Sequence, residues 1–247
     1  MKPKIVIVAG GLALRMKPIT KEIPKCLVDI NGKPLIEHQL EFFKKLGYTD
    51  IIFCVAHLSE KVKEYFKDGK DFGLNIEYIQ EKEELMGTAG SVKLSKNLID
   101  SDFIVYYGDN LTNMDLDNFV RFHKEKQGIA TICMRPLPEG YKSSSVIVLD
   151  DDKKIKSFVE KPSIEEINSI KGKKNINSGI YIFKKEIFRY IPKDTKFDFM
   201  NQLFPKLIKE GFEVYGYSTE EFYVELGRVE KYERFLEENK GKKIILK

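Results

Sequence analysis

The sequence predicts an α/β fold: a doubly wound, mostly parallel mixed sheet in a three-layer αβα arrangement. Three observations predict it. Short apolar runs alternate with amphipathic stretches through the first half, the rhythm of successive β-α-β units. The first of those runs, at 4–11, is continuous rather than alternating, as in a strand covered on both faces. Glycine-rich and polar segments follow the runs directly, where an open parallel sheet gathers its ligands.

Each element has a local reason. KIVIVAGG at 4–11 is a β-branched run ended by glycines, the pattern of a buried parallel strand. PLIEHQLEFFKKLGY at 34–48 has apolar residues at helical spacing, with Pro34 at its start and Gly47 as a stop. DIIFCVA at 50–56 reads as a strand, LSEKVKEYFKDG at 58–69 as an amphipathic helix and LNIEYIQ at 74–80 as a third strand. GTAGSVKLSKNLI at 87–99 reads as a loop entering a helix, DFIVYYGDN at 102–110 as a strand ending in Gly-Asp, LDNFVRFHKEKQ at 116–127 as a helix and IATICMR at 129–135 as a strand.

The second half is less regular. SVIVLDDDKKIKSFVEKP at 145–162 reads as a hairpin turning in its charged cluster, and NINSGIYIF at 175–183 as a strand. FDFMNQLFPKLIKEG at 197–211 reads as a helix with a kink expected at Pro205. FEVYGYS and EFYVEL are short strands, and VEKYERFLEEN is a closing helix. No linker, repeat or low-complexity tract interrupts the chain, so a single domain over 1–247 is expected.

Composition narrows the function classes. Hydrophobic residues make up 42% of the 247, and the net charge of +4 balances 42 basic against 38 acidic side chains. That is a solvated mixed surface without the basic excess of a nucleic-acid binder. No apolar stretch approaches the ~20 residues needed to span a bilayer, so no membrane partner is expected. Cys26, Cys54 and Cys133 lie far apart with no CxxC spacing; Cys54 and Cys133, inside apolar runs, read as buried reduced thiols of a cytoplasmic protein, and Cys26, beside Lys25, is a candidate reactive thiol. His38, His57 and His123 have no partners at ligand spacing, so metal binding through histidine is not expected.

Chemistry concentrates at the strand ends. AGGLALRMKPITKEIPK at 9–25 places Gly10 and Gly11 after the first strand, with Arg15 and Lys25 following. Glycines let backbone amides approach a polyanion, and the cations can neutralise it. The segment lacks the Gly-Lys-Ser/Thr ending of a Walker A loop. It also lacks the third and second glycines of a G-x-G-x-x-G fingerprint, which sets a nicotinamide dehydrogenase aside. A Gly-Gly turn with surface cations is the alternative. Asp109 follows an apolar strand and a glycine, a placement that aims a hard oxygen ligand of the kind Mg²⁺ takes into the crevice; a turn-capping aspartate is the alternative.

The ordered series A-G-G, Arg15, Pro18, Thr20, Pro24-Lys25 and Gly32-Lys33-Pro34, then GTAG (87–90), YGDN (107–110), VEKP (159–162), NSGIYIF (177–183) and YVELG (223–227), resembles the sugar-1-phosphate nucleotidyltransferases over nearly the whole chain. The branch it resembles most is that of the mannose- and heptose-1-phosphate guanylyltransferases. Glucose-1-phosphate thymidylyl- and uridylyltransferases share most of these landmarks.

The resemblance implies a Rossmann-like nucleotidyltransferase fold and a Mg²⁺-dependent reaction joining a nucleoside triphosphate, most simply GTP, to a sugar 1-phosphate, giving a nucleotide-sugar and pyrophosphate. It implies catalytic roles for Arg15, Lys25, Asp109 and Lys161. It implies nucleotide contacts from Ala9, Gly10, Gly11, Leu12, Arg15, Lys25, Gln80, Gly87, Thr88 and Asp109. Sugar-phosphate contacts fall on Ser145, Glu160, Lys161, Asn177 and Gly179, and metal ligation on Asp109 and Glu225. Thr88 could instead simply cap the helix after it, and Glu225 could be a surface acid.

Residues 1–135 would form mainly the nucleotide half and 136–247 mainly the sugar-phosphate half. Two departures stand out: Ala13-Leu14 replaces the usual Gly-Thr, and Glu225 replaces an aspartate. A C-terminal β-helix, frequent in such proteins, is not expected, and a homo-oligomer is left open. The rival from another class is a nonenzymatic relative that binds nucleotide or nucleotide-sugar and regulates a partner.

Overall fold

The computed structural model describes residues 2–81, 85–138, 140, 145–159 and 162–246. Its elements run in chain order as β1 (Ile5–Val8), β2 (Asp29–Ile30), β3 (Lys33–Pro34), α1 (Leu35–Lys45), β4 (Asp50–Val55), α2 (Ser59–Phe66) and β5 (Asn75–Gln80). Then come α3 (Gly87–Lys93), β6 (Phe103–Tyr107), β7 (Asn110–Thr112), α4 (Leu116–Lys126), β8 (Ala130–Pro136), β9 (Val146–Leu149), β10 (Ile155–Val159), α5 (Ile164–Ser169) and β11 (Lys174–Phe183). The chain closes with α6 (Phe204–Lys209), β12 (Val214–Ser218), β13 (Tyr223–Glu225) and α7 (Val229–Glu238).

These elements group into two compact units that interleave along the chain: Met1–Leu85, Tyr106–Met114 and Glu221–Lys247 form the first, Met86–Val105 and Asp115–Glu220 the second. In the first unit β1 pairs parallel with β4, and β4 with β5. β1 and β4 are continuous apolar runs because their side chains are covered on both faces; Ile5, Val6, Ile7, Ile51, Ile52 and Phe53 are all but inaccessible, whereas β5, at the end of the strand order, mixes polar and apolar residues and is only partly covered. Helix α1 buries Leu35, Ile36, Leu40 and Phe43, the stripe that helical spacing dictates. Asn31 and Gly32, both at positive φ, turn β2 into β3, the backbone that an Asn-Gly hairpin requires.

In the second unit β11 pairs antiparallel with β8 and β9, β9 antiparallel with β10, and β8 parallel with β12. The α/β class and a mixed sheet with helices packed on it are therefore as the sequence predicts, and the charged turn between β9 and β10 closes the expected hairpin. An aromatic core of Tyr181, Phe183, Phe199 and Phe204 holds this unit, with Phe183 stacked on Phe199 at 5.1 Å. One expectation is corrected. The helix over 197–211 is not kinked at Pro205; a π-helical turn (Phe199–Leu203) precedes α6, and Pro205 lies in the first turn of α6. Proline is accommodated there because the first-turn N–H groups have no intrahelical acceptor to lose.

Candidate functional site

In the first unit the segment after β1 is a tight, stapled loop. Ala13 stands in the left-handed region at φ 49°, and its carbonyl accepts both the Met16 N–H at 2.9 Å and the hydroxyl of buried Thr20 at 3.0 Å. A glycine would meet that backbone without a Cβ penalty, so the Ala13 departure keeps the turn rather than abolishing it. Leu12, Leu14 and Arg15 project to solvent. Gly11 is exposed, and a Cβ there would meet nothing within 4 Å.

Lys25 opens a short 3-10 turn after Pro24 and places its ammonium 2.5 Å from Asp109 Oδ2. Its neighbour Cys26 turns inward, 2% exposed, and burial pushes its thiol up to about 12. A protonated, buried thiol is inert, which corrects the expectation of a reactive cysteine.

Asp109 and Glu225 come together through strand pairing. Asp109 leads into β7, and β13 pairs antiparallel with β7, setting Glu225 opposite Asn110. The Leu226 N–H donates to the Asp109 carbonyl at 2.9 Å, and the Tyr223 hydroxyl donates to Asn110 Oδ1 at 3.0 Å. The two acids therefore flank Gly227: a Cβ there would stand 2.0 Å from Glu225 Oε1 and 3.1 Å from Asp109 Oδ2. Lys231, on α7, donates to Glu225 Oε2. Nothing in the sequence marks Lys231, which reaches the acid only because α7 begins directly after β13.

Two convergent carboxylates, each held by an ammonium, form a cradle over a residue with no side chain. Mg²⁺ commonly takes one or two carboxylates and completes its shell with substrate phosphates and water, so this donor set fits that ion. Groups of three or more acid, histidine or cysteine ligands are absent among the described residues.

At the end of β5 the side chains part. Gln80 accepts from Lys63 Nζ at 2.5 Å on the surface. The next residue, Glu81, is 5% exposed, with Oε1 only 2.8 Å from where a Gly10 Cβ would stand. In the sequence Glu81 is marked only as an acid directly after an apolar strand, within the loop that runs on to GTAG.

In the second unit Thr88 does not cap its own helix. Met86 is the N-cap of α3, and Asp198 accepts from both the Thr88 N–H at 3.0 Å and its hydroxyl at 3.2 Å, while the Thr88 hydroxyl accepts the Phe199 N–H at 3.0 Å. Gly87 has φ +72°, and a Cβ there would fall 2.8 Å from the Phe197 carbonyl oxygen, so backbone packing alone demands glycine. Asn177–Ser178–Gly179 form a bulge in β11, where the register against β8 shifts, with the Asn177 side chain accepting the Gly179 N–H at 3.0 Å. Ser145 is buried just before β9, its hydroxyl unpartnered among the described residues. Glu160 and Lys161 lie outside the described residues.

Residues 4–240 match the model of the nucleotidyl transferase family. The chain is 38% identical over 93% of its length to a Synechocystis protein named UTP–glucose-1-phosphate uridylyltransferase, and 32% identical over 91% to mannose-1-phosphate guanyltransferase beta-A of Xenopus laevis. It spans 61% of the length of each of these relatives. Among solved structures it is similar to HddC from Yersinia pseudotuberculosis complexed with GMP-PN, with 26% identity, a TM-score of 0.78, and coverage of 96% of this chain and 99% of that one.

Proposed function

The chain belongs to the nucleotidyl transferase family, and on that premise we propose that it joins a nucleoside triphosphate to a sugar 1-phosphate, releasing pyrophosphate. The observation that carries this reading is the Lys25–Asp109 pair facing Glu225 across Gly227. A sugar-phosphate oxygen attacks the α-phosphorus in line with the departing pyrophosphate. Both reactants are anions, so catalysis needs positioning and charge neutralisation rather than a protein nucleophile.

Lys25 is the cation for the α-phosphate. In the free protein its charge rests on Asp109; with nucleotide present the ammonium turns to the phosphate oxygen where charge builds. Arg15, exposed beside the stapled loop, binds the leaving phosphates. The backbone of Ala9, Gly10, Gly11 and Leu12 lies along the nucleotide. Asp109 and Glu225 would hold Mg²⁺, which supplies Lewis-acid neutralisation of the phosphates when bound. Lys231 holds one Glu225 oxygen and leaves the other toward Asp109, which offsets the extra methylene of this acid.

Gln80, Gly87 and Thr88 complete the nucleotide contacts, and Ser145, Glu160, Lys161, Asn177 and Gly179 take the sugar phosphate, with Lys161 on its phosphate. Residues 1–135 would then carry most of the nucleotide function and 136–247 most of the sugar function, apart from Glu225. GTP with mannose or heptose 1-phosphate is the leading substrate pair, in a cytoplasmic setting. The Synechocystis relative's name favours a second reading, uridylyl transfer to glucose 1-phosphate. No helix among the described residues is long and apolar enough to cross a membrane.

A matrix of nucleoside triphosphates against sugar 1-phosphates, read by pyrophosphate release, tests the proposal. Turnover of at least one pair with Mg²⁺ is expected. No pyrophosphate from any pair, alongside measurable nucleotide binding, would favour a nonenzymatic regulatory relative instead.

A further inference from the structure

We propose that Lys25 keeps divalent cations off the Asp109–Glu225 pair until a nucleotide phosphate draws its ammonium away, so that cation and nucleotide bind as a linked pair. This rests on the nucleotidyl-transfer reading and deepens it. The decisive detail is which oxygen Lys25 holds. Asp109 Oδ2 and Glu225 Oε1 converge over Gly227, 3.1 and 2.0 Å from where a Cβ would stand. Lys25 Nζ lies 2.5 Å from that same Oδ2, whereas Lys231 takes Oε2, the other oxygen of its acid. Lys231 thus grips Glu225 by the oxygen farther from the convergent point, and Lys25 takes one of the two oxygens at it.

Charge makes this an exclusion. Two carboxylates and two ammoniums sum to zero, so the cluster has no net attraction for a dication. The side chains of Lys25 and Asp109 are only 24% and 11% exposed, and salt screens a part-buried pair much less than a surface one. A dication at the convergent point would stand beside the Lys25 ammonium and compete with it for Oδ2. Once Lys25 leaves, the cluster carries a single net negative charge with Lys231 still in place, and both convergent oxygens can serve as hard ligands.

The two partners differ in how firmly their charges are held. Asp109 is fixed by the Gly108 N–H, which donates to Val8 O at 3.1 Å, and by the Leu226 N–H on its own carbonyl at 2.9 Å. The Lys25 backbone is fixed too, by the Leu27 N–H on Pro24 O at 2.8 Å and by buried Cys26. Its ammonium, however, rides on a flexible four-carbon stem with rotatable donors, so it can pass from acid to phosphate while the backbone stays. The summed charge of a triphosphate exceeds that of Asp109, which draws the ammonium across. The linkage is reciprocal: the cation must tighten nucleotide binding by the same factor by which the nucleotide tightens cation binding.

The test is Mn²⁺ binding, read by electron paramagnetic resonance of the free ion, to the wild type, Lys25→Met, Lys25→Gln and the double variant Lys25→Met/Asp109→Asn, with thermal melts of each. Without nucleotide, Lys25→Met and Lys25→Gln should bind Mn²⁺ about 10-fold or more tighter than the wild type, because a unit charge a few ångströms from a dication is worth at least that. Adding Asp109→Asn should remove the gain, which locates the ion at this pair. Saturating GMP or UMP, which chelate Mn²⁺ only weakly in solution, should raise the wild-type affinity by about 10-fold or more and that of Lys25→Met far less.

Equal Mn²⁺ affinity of the wild type and a folded Lys25 variant overturns the exclusion, as does a gain that survives Asp109→Asn. An equal response of wild type and Lys25→Met to the nucleotide overturns the coupling, because phosphate ligation alone would then explain it. A nucleotide that binds the wild type without changing its Mn²⁺ affinity overturns the coupling even if no variant folds, and leaves the nucleotidyl-transfer reading standing. A wild type that binds neither nucleotide removes that reading as well.

Discussion

Gly227→Ala probes the carboxylate cradle with a single methyl group. The new Cβ would stand 2.0 Å from Glu225 Oε1 and 3.1 Å from Asp109 Oδ2. An ordinary carbon–oxygen contact is about 3.5 Å, so Glu225 must withdraw by about 1.5 Å. Lys231 opposes that withdrawal by holding Oε2, and the overpacking should cost about 1–3 kcal/mol of stability.

A misplacement of about 1 Å in a reacting constellation lowers turnover ~100-fold, so kcat should fall by about that factor or more. The assay is pyrophosphate release against Mg²⁺ concentration, with a thermal melt to show that the variant folds. The Mg²⁺ concentration at half-maximal rate should rise together with the fall in kcat. A folded Gly227→Ala enzyme with the wild-type Mg²⁺ curve would refute a metal held between these two acids.

Lys25→Ala should lower kcat by about 2.7–4 kcal/mol of transition-state stabilisation while changing nucleotide affinity far less; single-turnover rates and calorimetric binding separate the two, and unchanged turnover would remove Lys25 from the chemistry. Ala13→Gly should stabilise the protein by about 1 kcal/mol, because it relieves the left-handed Cβ penalty at φ 49°. A melting temperature raised by ~2–4 °C checks it, and a lowered one would show that chain stiffness matters more.

His123 is buried, and burial first, then Lys184 and Lys124, lower it from 6.5 to about 4. The unfolded state therefore takes up its proton first, so stability is full above about pH 6.5 and falls as the pH drops toward about 4. The total loss is up to ~3 kcal/mol. Urea denaturation at several pH values should show a shallower decline for His123→Gln than for the wild type; equal slopes would refute it.

Much was legible in the order of residues because it depends on short-range physics. Continuous apolar runs declared β1 and β4, a mixed run with Ile76, Tyr78 and Ile79 declared β5, helical spacing declared α1, α4 and α7, and the motif series declared a nucleotidyltransferase-like chain. Lys25 and Asp109 were legible for the same reason, each sitting directly after a recognisable turn or strand. Local pattern failed where contacts were long-range. Thr88 looked like a cap, yet Asp198, 110 residues away, accepts its N–H and hydroxyl. Pro205 looked like a kink, yet the chain had already loosened into a π-turn before it.

Other features came only from tertiary structure. Pairing of β13 with β7 is what sets Glu225 beside Asp109, and no spacing rule over one chain predicts which strands will meet. The burial that silences Cys26 and the packing of Glu81 on Gly10 depend on the ends of several strands converging at once. Sequence determined which residues could carry charge, metal and phosphate. Tertiary structure decided which of them share a space, because strand pairing and desolvation are properties of neighbours in three dimensions.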